Sequence, residues 1–167
     1  MNHIQGDNAT FNQSAALLEA LGFNIVKADK ERPWGGFYVI DESQAEAFAQ
    51  HFFPNEDLAS LKIAGQLSPK LLMVAPGKRL SWQYHHRRAE IWRCIHGTVA
   101  VAISDTDTPS EEKQLQISDI IKLKQGERHR LIGLAGWGVV AEIWQHTDAN
   151  HPSDEDDIVR LQDDFGR

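Results

Sequence analysis

From Leu58 onward, apolar and polar residues alternate along short runs that end in turn signals, the period-2 signature of β-strands. Strands are predicted at Leu58–Leu67, Lys70–Val74, Leu80–His85, Glu90–Ile95, Thr98–Ile103, Leu115–Leu123, His129–Leu134 and Gly138–Gln145. Turns fall between them at Ser68-Pro69, Pro76-Gly77, His96-Gly97, Asp105–Ser110, Gln125-Gly126 and Gly133–Gly138. Several short strands at near-regular spacing imply a sandwich or barrel. The beginning of the chain reads differently. Residues 1–11 are polar and expected to be loose. Asn12–Leu21 reads as a short helix, striped either by Ala15, Leu18 and Leu21 or by Leu17 and Leu21, with Gly22 as its stop. A strand at Phe23–Val26, a charged loop at Lys27–Glu31 and a strand at Phe37–Ile40 follow. Asp41 then stands as an N-cap with Gln44 three residues on, opening a second helix that runs to Phe52 and is ended by Pro54.

The pattern of the central strands also selects side chains. Leu80, Trp82 and Tyr84 alternate with Arg79, Ser81, Gln83 and His85, so Gln83 and His85 leave the same strand face. After the polar run His86-Arg87-Arg88, the next strand carries Glu90, Trp92 and Cys94 on one face. A hairpin that turns Gln83, His85 and Glu90 inward brings an amide oxygen, an imidazole and a carboxylate together. His129, in Gln125-Gly126-Glu127-Arg128-His129, is the candidate fourth metal ligand. Such a set is of intermediate hardness and lacks the thiolates of a structural zinc site. It suits one divalent ion: zinc first, with iron, cobalt, nickel or manganese as alternatives. Taken singly, Gln83 reads as a satisfied amide and His129 as a loop histidine. His86 points to the other strand face, and His3, His51, His96, His146 and His151 carry no special spacing.

Composition narrows the setting. With 167 residues, 41% of them hydrophobic, the chain reads as one globular domain with room for a core. No apolar run approaches the roughly 18 residues of a membrane helix, and the polar start lacks the layout of a signal peptide. A single cysteine, Cys94, excludes an intrachain disulfide and fits a reducing compartment, so a cytoplasmic location away from membranes is expected. The net charge of −7 argues against general nucleic-acid binding. Its distribution says more. Residues 68–133 hold 11 of the 17 Lys and Arg but 7 of the 24 Asp and Glu, a local net of +4 against −11 elsewhere. A basic centre in an acidic protein suits a small anionic ligand, the plain alternative being a scatter of solvated charges.

The spacing resembles that of the cupin superfamily. Gly77, five residues, Gln83-Tyr84-His85, four residues, Glu90, six residues and Gly97 repeat the first cupin motif, with Gln83 in place of its first His. Gly126 and His129 fit the second motif, in which Lys124 replaces the usual Pro and Ser118 the opening Gly. A narrower resemblance is to type II phosphomannose isomerases, a module often fused behind a GDP-mannose pyrophosphorylase domain in bacteria. Gln83-Tyr84-His85-His86-Arg87-Arg88-Ala89-Glu90-Ile91-Trp92 is similar to the family's Q-x-H-H-H-R-A-E-H-W, with Arg87 and Ile91 replacing histidines. Arg32-Pro33-Trp34-Gly35 matches its R-P-W-G, and Glu155-Asp156-Asp157-Ile158-Val159-Arg160 with Asp164-Phe165-Gly166-Arg167 matches its terminal motif.

The resemblance implies an all-β fold, a cupin double-stranded β-helix, or jelly-roll barrel, with a short N-terminal helical extension. Residues 1–60 would form that extension with its two short helices, 61–147 the barrel, and 148–167 an acidic tail ordered by Ile158, Val159, Leu161 and Phe165. The second helix does not fit the family's usual short link and reads as an insertion, to cover a barrel end, meet a second copy or extend the core. No second, nucleotide-binding domain fits in this length. The implied activity is metal-dependent interconversion of mannose 6-phosphate and fructose 6-phosphate. Gln83, His85, Glu90 and His129 would hold the metal, and a small phosphorylated sugar would be the partner. Glu90 is a candidate catalytic carboxylate whose coordination lowers its basicity, so Glu142, aligned with a family Glu, is the candidate base. Arg88 and Arg160, at motif positions, and Arg79, on the Gln83–His85 face, are candidate phosphate ligands. A homodimer is expected on the same resemblance. A non-catalytic sugar-binding module and a metal-dependent cupin oxygenase remain as alternatives.

Overall fold

The structure, a computed structural model, describes residues 3–62 and 65–166, with side chains from Ala9 onward. In chain order the elements are α1 (His3–Ala20), β1 (Ile25–Arg32), β2 (Gly35–Ile40), α2 (Ala45–Phe52), α3 (Leu58–Leu61), β3 (Lys70–Val74), β4 (Trp82–Tyr84), β5 (Arg88–His96), β6 (Val99–Ser104), β7 (Glu111–Leu115), β8 (Ile120–Leu123), β9 (Arg128–Gly133), β10 (Gly138–His146) and β11 (Val159–Gln162). A six-stranded sheet runs β1-β2-β3-β10-β5-β8 and a five-stranded sheet runs β11-β4-β9-β6-β7. Strand neighbours pair antiparallel.

Strand parity decides what faces what. On β3, Leu71 and Met73 join the cluster under the helices, while Leu72 and Val74 join the cluster between the sheets. On β10, Val139, Ala141 and Ile143 face the helices and Val140 faces the other sheet. Period-2 alternation then carries Lys70, Glu142, Arg88 and Glu90 to the inner face beside Leu72, Val140 and Trp92. Because the six-stranded sheet is covered on both faces, its central strands lack the usual polar alternation; β3 is buried at every position.

The helices cover the outer face of that sheet. Phe48, Ala49 and Phe52 of α2 and Phe11 and Leu18 of α1 are buried against Leu71, Met73, Ile91 and Ile143. Burying a Phe or Leu side chain fully contributes about 1.5–3 kcal/mol, so these helices extend the core; among the roles open from sequence, this is the one the packing supplies. The stripe on α1 includes Ala15 and Leu18, whereas Leu17 is exposed.

Four local expectations are corrected. The helix at Asn12–Leu21 starts earlier, at His3, within the segment expected to be loose; Met1 and Asn2 lie outside the described residues. The charged loop Lys27–Glu31 is strand, paired with β2 as an edge that keeps its charges in solvent. Leu58–Leu67 is not a strand. Asp57 caps α3 by accepting from the Ala59 amide at 3.2 Å, and Leu61 is buried; Ile63 and Ala64 lie outside the described residues. Leu115–Leu123 divides into β7 and β8 around Ser118, whose φ of 79° breaks the extended run where the cupin motif has Gly. Gly35 of the Arg-Pro-Trp-Gly turn shows why that motif ends in glycine. Its φ is 144°, and a Cβ there would lie 1.9 Å from the Met73 carbonyl oxygen.

Candidate metal centre and substrate cleft

β4 and the loop after it deliver His85, β5 delivers Glu90, and β9 delivers His129; β4 and β5 are not the expected hairpin but belong to different sheets, so the residues meet across the space between the sheets. The ligand atoms of these three buried side chains lie within 4.8 Å of one another. Gln83, on β4, pairs across the ladder with His129. Its Nε2 stands 3.4 Å from His85 Nε2, and its Oε1 accepts from Ser81 Oγ at 2.6 Å. All four sequence-predicted ligands are therefore neighbours.

Two carbonyls set the imidazoles. His85 Nδ1 lies 2.7 Å from the Asp157 carbonyl and His129 Nδ1 lies 3.0 Å from the Glu127 carbonyl. Each Nδ1 thus carries a proton and donates, which leaves Nε2 of the neutral ring as the free lone pair; on His85 that nitrogen also lies 3.3 Å from Arg88 Nη2. His85 Nε2 is 3.2 Å from Glu90 Oε1, and His129 Nε2 is 3.4 Å from Glu90 Oε2. His129 Nε2 is buried and has no hydrogen-bond partner. Burial lowers the His85 pKa, with the Glu90 carboxylate beside it working the other way. Burial alone would raise Glu90, but His85, Arg88 and His129 together hold its carboxyl well below the usual range. Two buried imidazole nitrogens facing an ionised carboxylate, one of them with no hydrogen-bond partner, are a donor set that a divalent cation fits, since it replaces any proton on those nitrogens.

Glu90 and Gln83 line a cleft together with Glu142, Trp92, Trp34 and Phe37, with Lys70, Arg88, Arg32 and Arg160 also on its walls, while His85 and His129 lie buried behind it. Glu142 is buried and accepts a hydrogen bond from Trp144 Nε1. Burial, reinforced by the Glu90 carboxylate, pushes its pKa up to about 7. Lys70 sits directly opposite it in the β3–β10 register, with Nζ 4.5 Å from the Trp144 ring centroid and 2.5 Å from Glu155 Oε1.

The three predicted phosphate ligands part company. Arg79 lines no part of the cleft: β4 begins only at Trp82, so the alternation that set Arg79 beside Gln83 fails. Its guanidinium holds Asp164 at 2.6 and 2.9 Å instead. Arg88 is in the cleft but engaged, donating to Glu90 Oε1 at 2.9 Å, Ser153 Oγ at 3.0 Å and the Asp154 carbonyl at 2.9 Å while stacked 3.5 Å from the Trp144 centroid. It orients Glu90. Arg160 lines the cleft, is exposed, and makes no ion pair or side-chain hydrogen bond among the described residues.

Sequence reasoning missed Asp157. Its carboxylate accepts from the His86 and Arg87 amides at 2.9 Å each and from Ser153 Oγ at 2.6 Å, while its carbonyl orients His85. The terminal acidic motif quoted above was the available signal; only its apolar members were read as ordering the tail. His146, set aside on spacing, is fully buried as a structural pin, accepting from the Ser153 amide at 2.9 Å with Nε2 3.1 Å from Ser68 Oγ. His86 is exposed, and the side chain of His3 lies outside the described ones.

Residues 42–163 match the family described as mannose-6-phosphate isomerase C-terminal. The chain belongs to that family. Among curated relatives, the alginate biosynthesis protein AlgA of Pseudomonas aeruginosa is 31% identical over 136 residues, covering 81% of this chain and 22% of AlgA. The xanthan biosynthesis protein XanB of Xanthomonas campestris is 32% identical over 81% of this chain and 23% of its own length. The mannose-1-phosphate guanylyltransferase ManC of Salmonella typhimurium is 29% identical over 81% and 22%. The chain thus spans less than a quarter of the length of these relatives. Solved structures confirm the cupin double sheet expected from the motifs. A recombinant oxalate oxidase superposes with a TM-score of 0.53 at 17% identity, covering 84% of this chain and 64% of that one. The capsular polysaccharide assembling protein CapF of Staphylococcus aureus superposes with a TM-score of 0.52 at 14% identity, covering 84% and 34%. No helix among the described residues is long and apolar enough to cross a membrane.

Proposed function

We propose that this member of the mannose-6-phosphate isomerase C-terminal family interconverts an aldose phosphate and its ketose isomer, with mannose 6-phosphate and fructose 6-phosphate first. The observation that carries the reading is the convergence of His85, Glu90 and His129 on one point, with Glu90 lining the same cleft as a second buried carboxylate, Glu142. His85, Glu90, His129 and Gln83 would hold one divalent ion; rotating the Gln83 amide by half a turn aims Oε1 at the cluster and leaves NH₂ to donate to Ser81 Oγ. Bound there, the ion supplies Lewis acidity to the O1 and O2 oxygens of the sugar. The chain's own residues do the rest. Glu142, in its ionised form, takes the proton from C2 and returns it to C1, one base serving both carbons of the enediol, while the hydroxyl proton passes from O2 to the neighbouring O1. Trp144 Nε1 holds the Glu142 carboxylate in place, and Arg88 holds Glu90 as a ligand. The rings of Trp34, Phe37 and Trp92 give the cleft apolar walls that exclude water.

The test is fructose 6-phosphate formation from a panel of aldose phosphates, with metal content measured before and after chelation. Turnover abolished by chelator and restored by one metal equivalent is expected, with little metal retained by a His85→Ala, His129→Ala double variant. Metal-loaded protein that binds mannose 6-phosphate and converts no phosphosugar would instead be a sugar-binding module.

A further inference from the structure

The cleft has two ends of different chemistry. The inner end carries Gln83, Glu90 and Glu142. The outer end, shared with an adjoining pocket, is lined by Lys27, Arg32, Phe37, Glu155, Asp156, Ile158 and Arg160. Three cations gather round the Phe37 ring there: Arg32 Cζ at 5.6 Å, Lys70 Nζ at 5.7 Å and Lys27 Nζ at 5.8 Å from its centroid. Arg160 joins them from β11. Bringing like charges this close is unfavourable unless carboxylates or a ligand anion answer them.

Matching each cation to its partner identifies the ones left over. Inside, Arg88 is engaged by Glu90, Ser153 and Asp154. Lys70 is held by Glu155, and Arg32 Nε lies 3.0 Å from Asp29 Oδ2, a partly exposed pair that leaves the two terminal guanidinium nitrogens without an ion-pair partner. Lys27 and Arg160 have no ion-pair partner among the described residues. Of the two carboxylates at this end, Glu155 is paired with Lys70 and also feels Arg88 and Lys27 at longer range, and Asp156 lines the same pocket as Lys27, Arg32 and Arg160. The unanswered positive charge therefore lies at the mouth, away from the carboxylate-rich floor.

We propose that the mouth of the cleft is a phosphate subsite formed by Lys27, Arg32 and Arg160, so that a phosphosugar binds with its phosphate outward and its carbonyl end toward His85, Glu90 and His129. The sugar identity rests on the isomerase reading above; the subsite does not. Arg32 and Arg160 stand in motifs at opposite ends of the chain, and the β1–β2 turn and the β4–β11 pairing bring both to one opening. Guanidinium forks suit a phosphate's oxygens, and an outward phosphate selects sugars phosphorylated at the end remote from the reacting carbonyl.

The test uses the full chain loaded with metal. Calorimetric titration with inorganic phosphate and with mannose 6-phosphate should show binding that Arg160→Ala and Lys27→Ala each weaken about ten- to a hundredfold, as loss of a charge-assisted hydrogen bond does. Asp156→Asn should tighten it, and Lys113→Ala, on the distant β7 edge, should leave it unchanged. Mannose 1-phosphate should bind more weakly than mannose 6-phosphate. Metal content and the unfolding temperature report whether each variant is folded. Phosphate affinity unaltered in a Lys27→Ala, Arg160→Ala double variant overturns the subsite, even if turnover is intact. Loss of phosphate binding in that variant of a chain that turns over no sugar supports the subsite while the isomerase reading fails.

Discussion

At the scale of single residues, Glu142 concentrates the chemistry and its cost. Its pKa, pushed up to about 7 by burial and then by Glu90, means that the folded chain holds a proton there that the unfolded chain, with a carboxyl near 4.3, releases earlier. Between those values the native state binds more protons, so stability is full at pH 4 and falls as pH rises through about 7. Glu142→Gln, which is neutral and nearly isosteric, should match the parent at pH 4 and exceed it at pH 8 by up to about 3 kcal/mol in urea unfolding. Catalysis runs the other way. As a base Glu142 must be ionised, so kcat/KM should rise with pH through its pKa, which a cation on Glu90 draws below the metal-free position, and then level off, and Glu142→Gln should lose about 10²- to 10⁴-fold. A loss under tenfold with metal retained would remove Glu142 from the role. Glu142 was singled out by the family resemblance, and alternation alone left its face open; the structure settles it, since Val140 on the same unbroken strand faces the other sheet. Arg79 misled because a parity argument was carried across residues that are not strand.

At the scale of elements, the terminal segment decides whether His85 is aimed. Ser153, Asp154, Glu155 and Asp157 contact Arg88, Lys70 and the His85–Arg87 loop, and β11 then pairs with β4 beneath Gln83. The apolar Ile158 and Phe165 that suggested order are only part of the reason; the Asp157 carboxylate makes the attachment. Burial opposes its ionisation, but Ser153 and the His86 and Arg87 amides bring its pKa down to about 2. A depressed carboxyl contributes stability above about pH 4 and loses it as pH falls toward about 2. Asp157→Asn turns one amide donor toward the His86 or Arg87 N–H and should cost about 1.5–3 kcal/mol. It should also weaken metal binding about 10- to 100-fold, as disturbing the groups behind a metal ligand does. Competition with a chelator measures this without reference to turnover; unchanged affinity in a destabilised variant would make Asp157 a structural residue alone. The existence of most strands was readable from alternation and turn residues; their pairing was not, since β4 and β5, read as a hairpin, lie in different sheets, β4 against β9 and β11 and β5 against β10 and β8. The α3 segment was not readable either, because four residues capped by Asp57 leave too short a record to distinguish period 3.6 from period 2.

At the scale of the whole molecule, charge is sorted by position. The segment that builds most of the site carries a net of +4, and the rest of the chain carries −11. The fold adds what the counts leave out, because Lys27, Arg32 and Arg160 come from outside the basic segment yet reach the cleft mouth. Long-range steering of an anion toward a chain of net charge −7 is unfavourable, so attraction must be local, acting once the phosphate is within a Debye length of the mouth. Lys27 and Arg160 are exposed, whereas His85, Glu90 and His129 are each at most 3% exposed. Salt should separate the two ends of the site. As the screening length falls from about 10 Å at 0.1 M to about 3 Å at 1 M, KM for the phosphosugar should rise several-fold while metal affinity hardly moves. A steady-state series in sodium chloride, paired with chelator competition in the same buffers, gives both quantities. Equal sensitivity of the two would mean that phosphate and metal share one electrostatic environment, and a KM indifferent to salt would mean that buried groups, not the cations at the mouth, hold the substrate.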